Sequence, residues 1–302
     1  MRFFIKKIGI YLTNNYLGCG CRIAVRIIGV GSNITKKNKN MNENKSLDIF
    51  GIKPLANAID TTVTKSFEGI ESFLKLVCAP ALEEIGFLLK DKIRNWRLTN
   101  ILVILEKAKN KMEFSNDMLQ IKAHPKIALS IIENGSLNDN DEIQNLWAGL
   151  FVSSCSNNGQ DDENLIFVDI LKQLTVLQAK IINHSCEKTR KIIYSNGLIM
   201  SEDLNIDFTE LVNITNITDI HRLDRELDHL RSLELIGSGI GSGGFNLSDE
   251  NLSADITPSA LSLNLYLKCQ GFNGNPKEFW KESLITEMQL VVEQNEKKEL
   301  DK

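Results

Sequence analysis

Asp139-Asn140-Asp141-Glu142-Ile143-Gln144-Asn145-Leu146-Trp147-Ala148-Gly149-Leu150-Phe151 is the stretch that decides the fold. Ile143, Leu146, Trp147, Leu150 and Phe151 recur at three- and four-residue spacing, which lays five apolar side chains along one stripe of an α-helix. The carboxylates ahead of them suit a helix start, where free backbone amides and the helix dipole favour negative charge. Asn138 or Asp139 is the expected N-cap. Asp139-x-Asp141 has the beginnings of a calcium loop, but Gln144 and Leu150 stand where such a loop needs Gly and Glu. Capping explains both acids.

The same helical period runs outward in both directions. Phe67, Ile70, Leu74, Val77 and Ala81 share a face, and Pro80 forces a break. From Leu82 the series Ile85, Leu88, Leu89, Ile93, Trp96, Ile101, Ile104, Leu105, Ala108 and Met112 predicts a long helix to about Lys111. Pro125 suits a first helical turn, leading through Ile127, Ile131 and Ile132 to a stop at Gly135. Residues 156–162 read as a loop, followed by one helix using Phe167, Ile170, Leu171, Leu174, Ile181 and Ile182.

After Gly197 the pattern changes. Asp219 to Leu233 reads as a helix with Leu223, Leu227, Leu230 and Leu233 inward. Leu235-Ile236 and Ala254-Asp255-Ile256 read as two short strands around a Gly-rich loop, 237–244. Thr257-Pro258-Ser259-Ala260 opens a helix to about Gln270. A last helix starts near Pro276, with Trp280, Leu284, Met288, Val291 and Val292 on one face. The expected fold is mainly α, a multi-helix N-terminal domain followed by a winged-helix-like α+β module and a C-terminal helix. The boundaries are a basic extension over 1–46, a helical domain over 47–160, the module over 161–275 and the C-terminal helix over 276–302.

Two blocks carry a family pattern: Ile85-Gly86-Phe87-Leu88-Leu89-Lys90-Asp91-Lys92-Ile93-Arg94-Asn95-Trp96-Arg97 running into Ile104 to Lys109, and Asp139 to Leu150 followed by Phe167 to Leu174. In this order and spacing the chain resembles the abortive infection alpha (Abi-alpha) family of bacterial proteins, implicated in resistance to phage, over roughly residues 70–270. After Trp147-Ala148 it reads Gly-Leu-Phe-Val-Ser-Ser where that pattern is richer in alanine. The resemblance implies phage defence and brings no catalytic residues with it. Trp96 and Trp147 both fit apolar helix faces, so core packing is the expectation. Arg94 and Arg97 are either surface charges or partners of acids such as Asp139 and Asp141.

Composition narrows the partners. The chain has 302 residues with 35 basic and 39 acidic side chains, a net charge of -4. Eight of the basic residues (Arg2, Lys6, Lys7, Arg22, Arg26, Lys36, Lys37 and Lys39) fall in residues 1–40, which hold no Asp or Glu. The remaining 27 against 39 give -12 for residues 41–302. An acidic body is a poor footprint for nucleic acid, because neutralising phosphates needs clustered Lys and Arg. No apolar run approaches the ~20 residues that span a bilayer. Six scattered cysteines without a CxxC pair fit a reducing cytoplasm.

Residues 1–40 admit three readings. Tyr16-Leu17-Gly18-Cys19 gives a lipoprotein-type box, but the apolar stretch before it, Ile8 to Leu12, is too short. Ile23, Val25, Ile27 and Ile28 against Arg22 and Arg26 give a membrane-surface helix, which the four glycines at 18, 20, 29 and 31 oppose. The favoured reading is that Met41 is the true start, the preceding segment being either disordered or not translated.

No residue pattern commits the chain to catalysis, a cofactor or a metal. Gly239 to Gly244 matches GxGxxG formally, yet no convincing helix follows to meet a pyrophosphate. His184, Cys186 and Cys155 lack a fourth zinc ligand and paired spacing. Arg222 and His229 match the Arg-x4-6-His spacing of HEPN-type ribonucleases, in which the histidine moves a proton and the arginine stabilises developing charge. Leu223 then belongs to the apolar face, and Asp224, Glu226 and Asp228 would repel an RNA backbone. The sequence leans away from an enzyme. It favours a cytoplasmic phage-defence protein acting on a protein partner or on itself, with helices 67–112 as a peripheral membrane contact. A ribonuclease toxin using Arg222 and His229 and a winged-helix transcriptional regulator are the alternatives.

Overall fold

The computed structural model describes residues 69–78 except 71, 95–113, 122–237 except 157, 245–246 and 252–292. The chain divides into two compact units, Met1–Ser46 and Leu47–Lys302, and every described residue lies in the second. The readings of residues 1–46, of Phe67, Pro80 and Ala81, of 82–94 including Arg94, and of Gly239 to Gly244 therefore fall outside the described residues.

The described chain is mostly helical, with three small sheets. Helical residues 69–70 and 72–77 (α1) precede α2 (Asn95–Glu113), β1 (Lys122–Ala123), α3 (Pro125–Gly135), α4 (Asp141–Ser153) and β2 (Cys155–Ser156). Next come α5 (Leu165–Leu171), α6 (Val176–Lys188), β3 (Lys191–Ile193), β4 (Ile199–Ser201), β5 (Asn205–Asp207), α7 (Phe208–Thr215) and α8 (Ile220–Ser232). The last elements are β6 (Phe245–Asn246), β7 (Ser253–Asp255), α9 (Ala260–Cys269), α10 (Pro276–Phe279), β8 (Leu284–Thr286) and helical residues 287–292 (α11). Strands β1 and β2 pair antiparallel. The other sheets run β4-β3-β8, with β8 parallel to β3, and β5-β7-β6, antiparallel throughout.

Helix α4 is the hub. It packs against α2, α3, α5, α6 and α9, and its buried residues go round the whole cylinder: Ile143, Gln144, Leu146 to Phe151 and Ser153. A helix enclosed on all sides has no solvent stripe, and α4 has little of one. Its N-cap is Asn140, whose side chain accepts from the Glu142 and Ile143 amides, rather than Asn138 or Asp139. Those two are committed elsewhere: the Asn138 amide donates to the Asn134 carbonyl, and Asp139 accepts from the Trp96 indole.

Gly149 decides how close α9 comes. A Cβ there would lie 1.6 Å from the Cys269 carbonyl oxygen and 2.3 Å from its carbon. Only a residue without a side chain allows backbone to meet backbone in this way. Gly271, at φ +92°, turns the chain away directly after the crossing.

Several expectations need correction. The single helix through Phe167 and Ile182 is two, because Thr175 and Gln178 form a reciprocal capping box that starts α6 afresh. Leu235-Ile236 is not a strand. Ile236 makes only an isolated bridge with Pro258, and β7 pairs instead with β5 and β6. The C-terminal helix from Pro276 ends after one turn. Trp280 turns into the core, and Ile285 joins β8, which pairs with β3. Met288, Val291 and Val292 are left exposed on α11, with Met288 at 78%.

Trp147 is fully buried, but Trp96 is 44% exposed and is no core residue. Arg97 meets neither Asp139 nor Asp141; it donates to the Ser136 hydroxyl and the Glu133 carbonyl. Lys107 is the partner of Asp141, at 2.5 Å.

Gly149→Ala is expected to destabilise the fold by about 3 kcal/mol or more, because backbone must move. Gly69→Ala, whose Cβ would meet, among the described residues, only Lys109 Nζ at 3.6 Å, should stay within about 1 kcal/mol of the parent. Urea unfolding of the two variants side by side measures the difference.

Candidate functional site

The side chains with the most perturbed surroundings gather where α6 ends. Lys191, the first residue of β3, is 1% exposed. Its ammonium donates to the Cys186 and Thr189 carbonyls and lies 4.3 Å from the centroid of the Trp280 ring. The carbonyls at a helix C-terminus lack intrahelical donors and attract cations, so Lys191 caps α6 from the following strand. Burial holds its pKa below the ordinary lysine value.

Trp280 stacks on Tyr266 with centroids 5.6 Å apart, and Phe279 meets the Trp280 ring edge-on at 4.7 Å. The Tyr266 hydroxyl donates to Glu187 Oε1 at 3.0 Å, and burial with the adjacent carboxylate pushes its pKa up. A cleft of about 420 Å³ opens beside these groups, lined also by Glu278, Lys281 and Glu282. Sequence reasoning missed this cluster. The available signal was Lys191 itself, a cation three residues past a helix end at the head of a short apolar strand.

Arg222 and His229 lie on one face of α8, two turns or about 10 Å apart along the axis. Glu226 stands between them. One of its oxygens is 4.0 Å from Arg222 Nε, and the other accepts from the Thr175 hydroxyl at 2.7 Å. His229 Nδ1 is 2.8 Å from Gln178 Nε2. Gln178 Oε1, which accepts from the Thr175 amide, lies 3.1 Å from the same ring nitrogen. His229 is thus tied to the α6 cap, and the structure does not converge it with Arg222 on one point.

The remaining candidates disperse. His184 Nε2 is 3.5 Å from Glu210 Oε1, Cys186 Sγ faces the Ser262 carbonyl at 3.8 Å, and Cys155 Sγ donates to the Phe151 carbonyl. Among the described residues no group of three or more His, Cys, Asp or Glu side chains is placed to hold a metal ion. The four described cysteines are free and buried. Burial pushes Cys78 and Cys186 up to about 12 and raises Cys155 and Cys269 as well. Thiols so held are packing groups rather than nucleophiles.

Residues 100–257 match the abortive infection alpha family. That is just over half of the chain, and it contains α4, α6 and α8 whole. The protein belongs to this family, and membership implies a part in abortive infection, the limiting of phage propagation. No curated protein matches the chain, and no solved structure does. Among the described residues no helix is long and apolar enough to cross a membrane.

The thiols set an alkaline limit to stability. In the unfolded chain they ionise near 9.0, whereas Cys78 and Cys186 ionise near 12 in the folded one. The folded state therefore binds more protons in that window, and stability falls as pH rises through it, by up to about 1.4 kcal/mol per unit for each thiol. Lys191, held low, opposes the trend. Urea midpoints should be flat below pH 9 with respect to thiols and then decline, less steeply in Cys186→Ala.

Proposed function

We propose that this family member acts in phage defence from the cytoplasm by contact with another protein, the winged-helix-like module over 161–275 supplying the surface. The observation that carries the reading is the charge balance of α8. Arg231 pairs with Asp228 at 2.6 Å, and Arg222 is 4.0 Å from Glu226. With Arg225 and Asp224 added, the helix presents mixed charge, which suits a protein surface better than a phosphate backbone.

The element order supports the module. Helix α6 is followed by strands β3, β4 and β5, helices α7 and α8 and strands β6 and β7, and β7 lies between β5 and β6. With β3 and β4 set aside as an insertion after α6, the order resembles the helix, strand, helix, helix, hairpin of a winged helix, with α8 in the position of the reading helix. A membrane-surface role for helices within 67–112 has less support, since Ile70, Leu74, Val77, Ile101, Ile104, Leu105, Ala108 and Met112 all face the core.

Phage plating with charge-altered variants tests the reading. Arg225→Glu on the exposed α8 face is expected to lower protection while the unfolding midpoint stays near that of the parent. Arg222→Ala with His229→Ala should leave host RNA patterns unchanged, whatever its effect on protection. Loss of protection in a folded double variant, with RNA cleavage abolished alongside it, would establish the ribonuclease alternative instead. Tight, salt-sensitive binding of the purified chain to one duplex sequence would establish the regulator.

A further inference from the structure

The chain that follows α9 is held to the body at few points. From Gln270 to Val292, all of them described, Trp280 is the one buried residue. Strand β8 is three residues long, lies at the edge of its sheet and pairs with β3 alone. Parallel pairing of this kind is slightly weaker per residue than antiparallel pairing. Beyond β8, Met288, Val291 and Val292 of α11 stand in solvent.

The helical turns of this segment are specified locally. The Asn275 side chain accepts from the Lys277 amide to start α10. The Thr286 amide donates to Gln289 Oε1 and the Gln289 amide to Thr286 Oγ1, a capping box that starts α11. What the body supplies is a slot for Trp280 and the edge of β3. The slot is loosely filled, because a cleft of about 420 Å³ opens between Glu278 to Ser283 of the segment and Glu187, Lys191 and Tyr266 of the body.

The grip is thus concentrated on one side chain, the Trp280 ring between Tyr266 and the Lys191 ammonium, while ordering the segment costs conformational entropy at every residue. A segment so held opens at a lower free energy than the whole fold. Opening bares the Tyr266 ring, the Lys191 ammonium and the edge of β3. An unpaired strand edge takes up an extended segment through main-chain hydrogen bonds, and side-chain pockets select which one. The pocket here selects an aromatic ring four residues ahead of a short apolar strand, the pattern of Trp280 and Leu284-Ile285-Thr286. The tether from Gly271, at φ +92°, to Asn275 is the hinge, and Asn273, Gly274 and Asn275 are exposed.

We propose that residues 275–292 form a displaceable strap, and that the slot beneath it on β3 accepts the same segment of a second copy of this chain. Exchange replaces each contact within the chain by an identical one between copies, so its cost is low. The inference stands apart from the protein contact proposed for α8, since the strap and its slot share no residue with that helix.

Three measurements on the full chain test it. In native-state hydrogen exchange the Lys191 amide, which donates to the Ser283 carbonyl at 2.9 Å, should exchange by a local opening while Ile143 to Phe151 stay protected. Exchange of Lys191 only with global unfolding would overturn the strap, and this arm needs no variant. Next, a fluorescent peptide of residues 275–292 is titrated into the chain. The tethered strap competes at a high effective concentration, so the parent should bind the peptide weakly and the Trp280→Ala chain at least about tenfold more tightly. The same peptide carrying Trp280→Ala should bind neither chain. Equal binding of the two peptides, or no binding by a folded Trp280→Ala chain, would overturn the slot. Sedimentation then tests the occupant. A variant lacking Gly274 and Asn275 has a hinge shorter by about 7 Å, which keeps the strap from its own slot, and it is expected to dimerise. A folded monomer would overturn the second copy as the occupant.

Discussion

The crossing of α4 and α9 at Gly149 is the constraint on which the rest of the structure depends. Backbone meets backbone there, and the interval is set by the missing side chain. Because α9 lies so close, Ser262 reaches the Cys186 thiol of α6, and Tyr266 reaches Glu187. The same approach lets Asn273, just beyond α9, donate to the Cys155 carbonyl in β2. Helices from both halves of the sequence thus share one core, and the described buried apolar residues, Ile70 and Trp280 among them, form one cluster. Interiors packed at this density pass a local shift to every neighbour, so the crossing fixes more than its own two helices.

The C-terminal segment is held by a second device, at the other side of α9. Trp280 is buried between the Tyr266 ring and the Lys191 ammonium, and the Lys191 amide donates to the Ser283 carbonyl at 2.9 Å. One lysine thereby satisfies the end of α6, begins β3 and retains the returning chain. Desolvating an ammonium is costly unless it is fully engaged, and two carbonyls and a ring face engage this one.

Legibility in the sequence followed periodicity. The stripes through Ile127 and Ile132, through Ile143 and Phe151, and through Leu223 and Leu230 are buried as the spacing predicts. Pro125, Gly135 and Asp219 mark their helix ends. What escaped was short or compound. Strands of two or three residues such as β1, β3 and β5 are below the length at which alternation can be read. From Pro276 onward a helical spacing of Trp280, Leu284 and Met288 concealed a turn and a strand, because Trp280 is drawn inward by partners distant in sequence. Thr175-x-x-Gln178 was readable as a capping box and would have divided α5 from α6. The Glu187, Lys191, Tyr266 and Trp280 cluster had no motif, since its members come from four separate elements.

The family places this chain in phage defence, and the structure gives that role a body whose titratable groups are largely taken up by caps, ion pairs and core contacts. Everything on its surface is presented by a frame organised around α4. Native-state hydrogen exchange measures that organisation directly. The amides from Ile143 to Phe151 should be the slowest in the chain and should exchange only through global unfolding, with a free energy equal to that from urea. Faster exchange in α4 than in α8, or exchange of α4 by a local opening, would contradict the account.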